Sequence, residues 1–180
     1  AWPGWTGTTL AQGSGAASPG AVPAVRKATN VAIIPIRGEI LGKLNGDTTA
    51  ISVARRIKLA ERAGADALVI ELDTPGGDLY AALTICGLIK QSSITNTVAW
   101  VNTKAYSAGA VIALACREIV TSPTSDFGDA LPIKMSPMGG LIAMPQAERQ
   151  KITAPLLAEV VDSARRNGHD EYLVQGFVAL

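Results

Sequence analysis

Ala67-Leu68-Val69-Ile70-Glu71-Leu72-Asp73-Thr74-Pro75-Gly76-Gly77 is the stretch on which the fold turns. Its first six residues form a short, nearly continuous apolar run, the pattern of a strand buried on both faces. The five that follow cannot continue a helix or a strand, because proline lacks an N–H and paired glycines mark a tight turn. Backbone must therefore pass close to something at the strand's carboxyl end, where ligands bind in open α/β sheets. Working outward, residues 79–90 resume helical periodicity, 97–101 read as a third strand, 107–116 as a helix of small residues and 118–121 as a fourth strand. Upstream, Val31-Ala32-Ile33-Ile34-Pro35-Ile36 is an opening strand, and 47–63 carry apolar residues at helical spacing until Gly64. Strands alternating with helices predict an α/β fold with a mostly parallel sheet, right-handed crossovers and flanking helices.

The chain has 180 residues, 48% hydrophobic and 17% charged, enough for one domain with a real core. A formal net charge of +1 and an aromatic content of 4% supply neither the basic surface nor the stacking platforms of a nucleic-acid binder, so that class is set aside. Cys86 and Cys116 lie in apolar surroundings without metal-ligand spacing and read as small buried hydrophobes, with a disulfide between them as the alternative. No metal and no cofactor is expected. The most apolar stretch, 98–116, is interrupted by Asn102 and Lys104 and does not read as a membrane span. Residues 1–29 are rich in Gly, Ala, Ser, Thr and Pro without period and read as a flexible leader. Thr9-Leu10-Ala11 has the small residues of a signal-peptidase site, so 1–11 is either a secretory-signal remnant or an ordinary low-complexity tail. Residues 30–180 form the folded domain, and the missing closing signal at its end predicts that the chain continues.

Ser107 stands in Tyr106-Ser107-Ala108-Gly109-Ala110, where a strand gives way to a helix whose first turn has almost no side chains. A hydroxyl there is exposed at the sheet's edge, beside free backbone N–H groups that can stabilise an oxyanion. The bland alternative is a helix cap. Further on, 122–150 is irregular, and Lys151 precedes an amphipathic helix with Leu156, Leu157, Val160, Val161 and Ala164 on one face. Thr153 and Pro155 suit its first turn, and Asn167-Gly168 ends it. Met138, Leu141 and Ile142 sit among glycines and prolines that no regular element can bury, which predicts an adaptable apolar surface for extended hydrophobic peptides, or a subunit contact.

The opening strand with Arg37-Gly38-Glu39-Ile40, the Asp73 to Gly77 turn, the Ala105 to Ala110 block, Ser125-Asp126-Phe127-Gly128-Asp129-Ala130-Leu131-Pro132 and Lys151-Ile152-Thr153 occur in a fixed order. Together they resemble the ClpP/crotonase superfamily and, within it, the NfeD-like membrane-bound serine proteases related to signal peptide peptidase A. The resemblance implies a ClpP/crotonase-like fold and a Ser/Lys-dyad endopeptidase, with Ser107 as nucleophile, Lys151 as general base and the N–H groups of Gly77 and Ala108 as oxyanion hole. Gly76, Met138, Leu141 and Ile142 then contact substrate. The single histidine, His169, follows a polar helix end and reads as a solvated loop residue, so an amine must activate the serine. Lys104 and Lys134 are the other lysines near enough in sequence and read as solvated. A lysine of ordinary pKa, about 10.4, is neutral in roughly one molecule in 2,500 at pH 7. A positive helix end and burial are what Lys151 would need to serve. Resemblance further implies a homo-oligomer, a hydrophobic peptide or membrane-protein substrate, and attachment through later segments to a membrane, on the extracytoplasmic face of a bacterial envelope. Two rivals stand beside this reading: crotonase-type acyl-CoA chemistry, which shares sheet and oxyanion hole, and a catalytically silent scaffold for a membrane partner.

Overall fold

The structure is a computed structural model and describes residues 27–42, 46–136, 138 and 140–178. Most of the expected leader, 1–26, lies outside the described residues. The elements run β1 (Val31–Arg37), α1 (Ala50–Arg62), β2 (Ala67–Thr74), α2 (Leu79–Gln91), β3 (Thr97–Tyr106), α3 (Ala108–Ala115), β4 (Glu118–Thr121), β5 (Asp126–Gly128), β6 (Lys134–Met135), β7 (Leu141–Ile142), α4 (Gln146–Asn167) and α5 (Glu171–Gly176). Four strands pair in the order β1-β2-β3-β4, and β5 pairs with the far end of β3; every pairing in this sheet is parallel. Strand-helix-strand order thus produces the parallel α/β sheet that the sequence predicts.

Side chains alternate across the sheet, so register decides which face is core. Ile34, Ile70, Ala99 and Ile119 form one row and Ile36, Leu72 and Val101 the next, all on the face packed into the helical core. The opposite face exposes Val31, Ile33 and Val120. Glu71 lies on that second face yet is buried, and its carboxylate accepts from Arg37 Nη2 at 2.8 and 2.9 Å and from Asn102 Nδ2 at 2.8 Å. These partners answer the cost of burying a charge. They also explain why β3 runs five residues beyond the expected 97–101: Asn102, Thr103 and Lys104 look like a loop in sequence but face partners on neighbouring strands. Asn102 binds Glu71, Thr103 binds Asp73, and Lys104 pairs in register with Asp126.

All eight residues of α3 are buried, as a helix apolar all round must be. Cys86 and Cys116 pack beside it as free, buried thiols. Cys86 Sγ donates to the Val111 carbonyl at 3.5 Å and Cys116 Sγ to that of Ile112 at 3.8 Å, so each thiol is turned to backbone and the disulfide alternative falls. Burial pushes both thiols up, Cys116 to about 12, which leaves them unreactive at neutral pH.

Helix α4 begins at Gln146, earlier than the expected start near Thr153, and contains Pro155 in its interior. Residues 146–150 are all helix formers, and extended Pro145 caps them. Gly168 ends the helix with φ 79°, the left-handed cap expected of Asn167-Gly168. Lys90, its side chain 8% exposed, ties α2 to α4 with Nζ at 2.6 Å from both Glu159 and Asp162. Burial pulls the Lys90 pKa down, but the hydrogen bonds and charges of Asp162 and Glu159 outweigh it and leave it raised. Asp162 is lowered, first by its hydrogen bond to Lys90. The raised lysine contributes stability below its unfolded pKa and loses it as pH rises through the folded value. The lowered carboxyl contributes above its unfolded value and loses it as pH falls through the folded one. Lys90→Met should therefore cost about 1–3 kcal/mol at pH 7 by urea denaturation. The gap to wild type should narrow at both extremes of pH, and a flat difference across pH would show that the tie carries no charge-dependent stability.

Candidate active site

Ser107 has φ 52° and ψ −119°, a conformation that few residues other than glycine adopt. Strain of this kind costs on the order of 1–3 kcal/mol and persists only where surroundings over-determine it. Here they do. The Ser107 N–H donates to the Gly128 carbonyl at 2.9 Å, while α3 starts at the next residue and fixes the other side. The hydroxyl makes no capping hydrogen bond, so the helix-cap alternative does not hold.

The glycine turn is shaped around this serine. A Cβ on Gly76, at φ 106°, would lie 2.6 Å from Ser107 Cβ, and one on Gly77, at φ 146°, would lie 2.2 Å from the Ile40 carbonyl oxygen. Ile40 bridges the turn in parallel: its N–H donates to Gly76 O at 2.8 Å and its carbonyl accepts from Asp78 N–H at 2.9 Å. That bridge uses the amides on either side of Gly77 and leaves the Gly77 N–H over. Among the described residues, neither it nor the Ala108 N–H at the start of α3 has a hydrogen-bond partner. Both Gly77 and Ala108 line the cavity that holds Ser107. Buried Thr74 steadies the turn by accepting from Gly76 N–H at 3.0 Å, and its methyl stands where a Cβ on Gly109 would come within 2.5 Å.

The cavity measures about 350 Å³. Leu79, Val111, Ala130, Ile152 and Leu156 form its apolar wall, and Asp78, Lys134 and Glu148 bring charge to it. A second space of about 390 Å³ lies against the same Pro132, Ile133, Lys134 and Met144. Leu141 and Ile142 line this second space. Met138 is 97% exposed and belongs to neither wall, and Gly76 sits beneath Ser107 rather than in the cavity surface.

The lysines separate clearly. Lys104 shares the sheet face of Trp100 and Asn102, opposite the core rows. Lys134 does line the cavity, contrary to its reading as merely solvated, and its Nζ lies 2.8 Å from Glu148 Oε1. Lys151 is exposed in the second turn of α4, not buried before a helix start; Glu148 and Ile152, which flank it on that helix, line the cavity. Pro155 has no N–H for the Lys151 carbonyl four residues earlier, so the helix is weakest there. His169 Nε2 lies 3.0 Å from the Cys116 carbonyl, so it is held in place rather than free in a loop. Cys116 caps the end of α3 opposite Ser107, and eight helical residues at 1.5 Å each put about 12 Å between them. The imidazole of His169 is therefore out of reach of this serine. Sequence reasoning missed the Lys134–Glu148 pair, because nothing in two residues fourteen apart across a Gly/Pro segment signals that they meet.

The model of the NfeD1b N-terminal domain matches residues 30–178. The Bacillus subtilis membrane protein NfeD1b is 34% identical over 118 residues, covering 66% of this chain and 25% of that protein. The Pyrococcus horikoshii membrane-bound protease PH1510 is 34% identical over 128 residues, covering 69% and 28%. The chain thus spans about a quarter of the length of these curated relatives. A serine-to-alanine variant of the 1510-N membrane-bound stomatin-specific protease superposes with a TM-score of 0.69 at 30% identity, over 86% of this chain and 72% of that one. ClpP1 from Listeria monocytogenes, at 20% identity and TM-score 0.59 over 81% and 78%, shares the fold. This chain belongs to the NfeD1b N-terminal domain family.

Proposed function

We propose that the domain is a serine endopeptidase in which Ser107 attacks the scissile carbonyl and Lys151, as a neutral amine, takes the hydroxyl proton. The oxyanion so formed is held by the Gly77 and Ala108 N–H groups. The lysine then gives its proton to the departing amine, and water, deprotonated by the same lysine, hydrolyses the acyl-enzyme. The observation that carries this reading is the strained Ser107 facing an apolar cavity beside two unpartnered N–H groups. Solved structures of the 1510-N protease include a serine-to-alanine variant and a lysine-to-alanine variant with a bound substrate peptide, consistent with these two residue types mattering there. Lys151 is favoured over Lys134 because Lys134 is engaged by Glu148, whereas Glu148 and Ile152 on either side of Lys151 line the cavity. The substrate is an extended apolar segment lying across the two neighbouring spaces, with Leu141 and Ile142 as contacts. Among the described residues no helix is long and apolar enough to cross a membrane. Attachment to a membrane, an extracytoplasmic location and assembly into oligomers are proposed from relatives named as membrane proteins and from the ClpP-like fold. The acyl-CoA alternative is less favoured: Glu118 lies beyond the far end of α3, and cavity-lining Glu148 is paired with Lys134.

Ser107→Ala and Lys151→Ala should each abolish peptide cleavage with thermal unfolding nearly unchanged, and His169→Ala should retain it. Loss in His169→Ala with retention in Lys151→Ala would overturn the dyad. Because the neutral amine is the active base, kcat/KM should rise with pH and level off on the alkaline side; a profile that falls above about pH 7 would exclude it. A peptide with four consecutive Val, Ile, Leu or Phe residues should be cleaved at least about a hundredfold better than its Ser/Lys counterpart, since each buried apolar side chain contributes about 1.5–3 kcal/mol. Equal rates would remove the hydrophobic groove and leave 133–144 as a subunit contact.

A further inference from the structure

The loop that holds the Ser107 amide is itself unusual. Gly128 has φ 135° and Asp129 φ 49°, two successive residues in left-handed space, and Ala130 after them lines the cavity. Strain on both sides of the Ser107 N–H to Gly128 carbonyl bond would let each relax the other unless something outside fixes the loop. That something is Phe177. Its carbonyl accepts from Ala130 N–H at 2.8 Å, its ring packs edge-on to Phe127 with centroids 5.4 Å apart, and its Cδ1 and Cε1 lie 3.6 and 3.7 Å from where a Gly128 side chain would begin. Phe177 therefore grips the loop before, at and after the residue that binds Ser107. It caps α5, which packs on α4, and the adjoining Val174 and Val178 are buried in the core.

We infer that Phe177 is a positioning residue for catalysis: by clamping residues 127–130 it keeps Ser107 in its strained, attack-ready conformation. It touches neither the nucleophile nor the cavity, and it acts through Gly128. This rests on Ser107 being the nucleophile, and the test separates the two. In the full-length protein, Phe177→Ala is compared with Phe177→Tyr, which keeps the ring, using a fluorophosphonate that labels reactive serines. Phe177→Ala should label at least about tenfold more slowly, yet reach the same final stoichiometry as wild type. Peptide cleavage should lose kcat with KM within about threefold, and Phe177→Tyr should restore both. A merely structural role would instead lower the final stoichiometry and leave the rate of the surviving fraction unchanged, and that result overturns the inference. Amide hydrogen exchange supplies the arm that needs no activity. Exchange in 105–110 and 126–130 should speed up in Phe177→Ala while 68–72 stays protected. Unchanged exchange at Ser107 overturns the clamp whatever the enzyme does, whereas absence of labelling in wild type, with exchange responding as expected, counts against the peptidase reading alone. If Phe177→Ala does not fold, Phe177→Leu, which removes the edge contact but keeps bulk, is measured against the same outcomes.

Discussion

Everything at the site depends on one steric constraint: the backbone of the Pro75-Gly76-Gly77 turn and that of Ser107 approach so closely that no Cβ fits between them. Gly76 has no room against Ser107, Gly77 none against Ile40, and Gly109 none against Thr74. Three chain segments converge there, and each glycine is the condition for another's position. The consequence is chemical. With side chains excluded, Gly77 and Ala108 line a cavity beside the hydroxyl, and the proposed oxyanion hole is in place before any charge develops. The strain in Ser107 belongs to the same arrangement, because relaxing φ 52° would swing its side chain out of the cavity or its amide off Gly128.

That constraint was readable in advance because it is written in residue types with few other uses. Buried strand, Pro-Gly-Gly, buried strand and small-residue helix have one common solution, a parallel sheet with a ligand site at the strands' carboxyl ends. The same logic shows why other features escaped. Strand β3 looked five residues shorter because Asn102 and Thr103 are polar, and only the buried carboxylate of Glu71 and neighbouring Asp73 make them strand residues. Polarity signals a loop only when no buried partner asks for it. Helix α4 starts earlier than Pro155 as a first-turn residue predicts, because the favourable run 146–150 begins the helix upstream and leaves the proline in its interior. The clamp by Phe177 on Gly128 joins residues about fifty positions apart and has no local signature.

The lysine question turns on neighbours more than on position. Glu148 and Lys151 are three residues apart on α4, close enough for side chains to meet on one helix face. Glu148 instead accepts from Lys134 Nζ at 2.8 Å across the cavity rim. The pair supplies two charges that cancel locally, and it fastens the β6–β7 hairpin to the helix that bears the proposed base. With Glu148, Lys134 brings charge to the cavity, as Asp78 does, beside a wall that is otherwise largely apolar. A substrate segment without charge can then fill that wall without having to break an ion pair, whereas a charged one would compete with Lys134 or Glu148 for its partner. The proposed preference for uncharged, apolar segments thus rests on the ion pair as well as on the apolar lining.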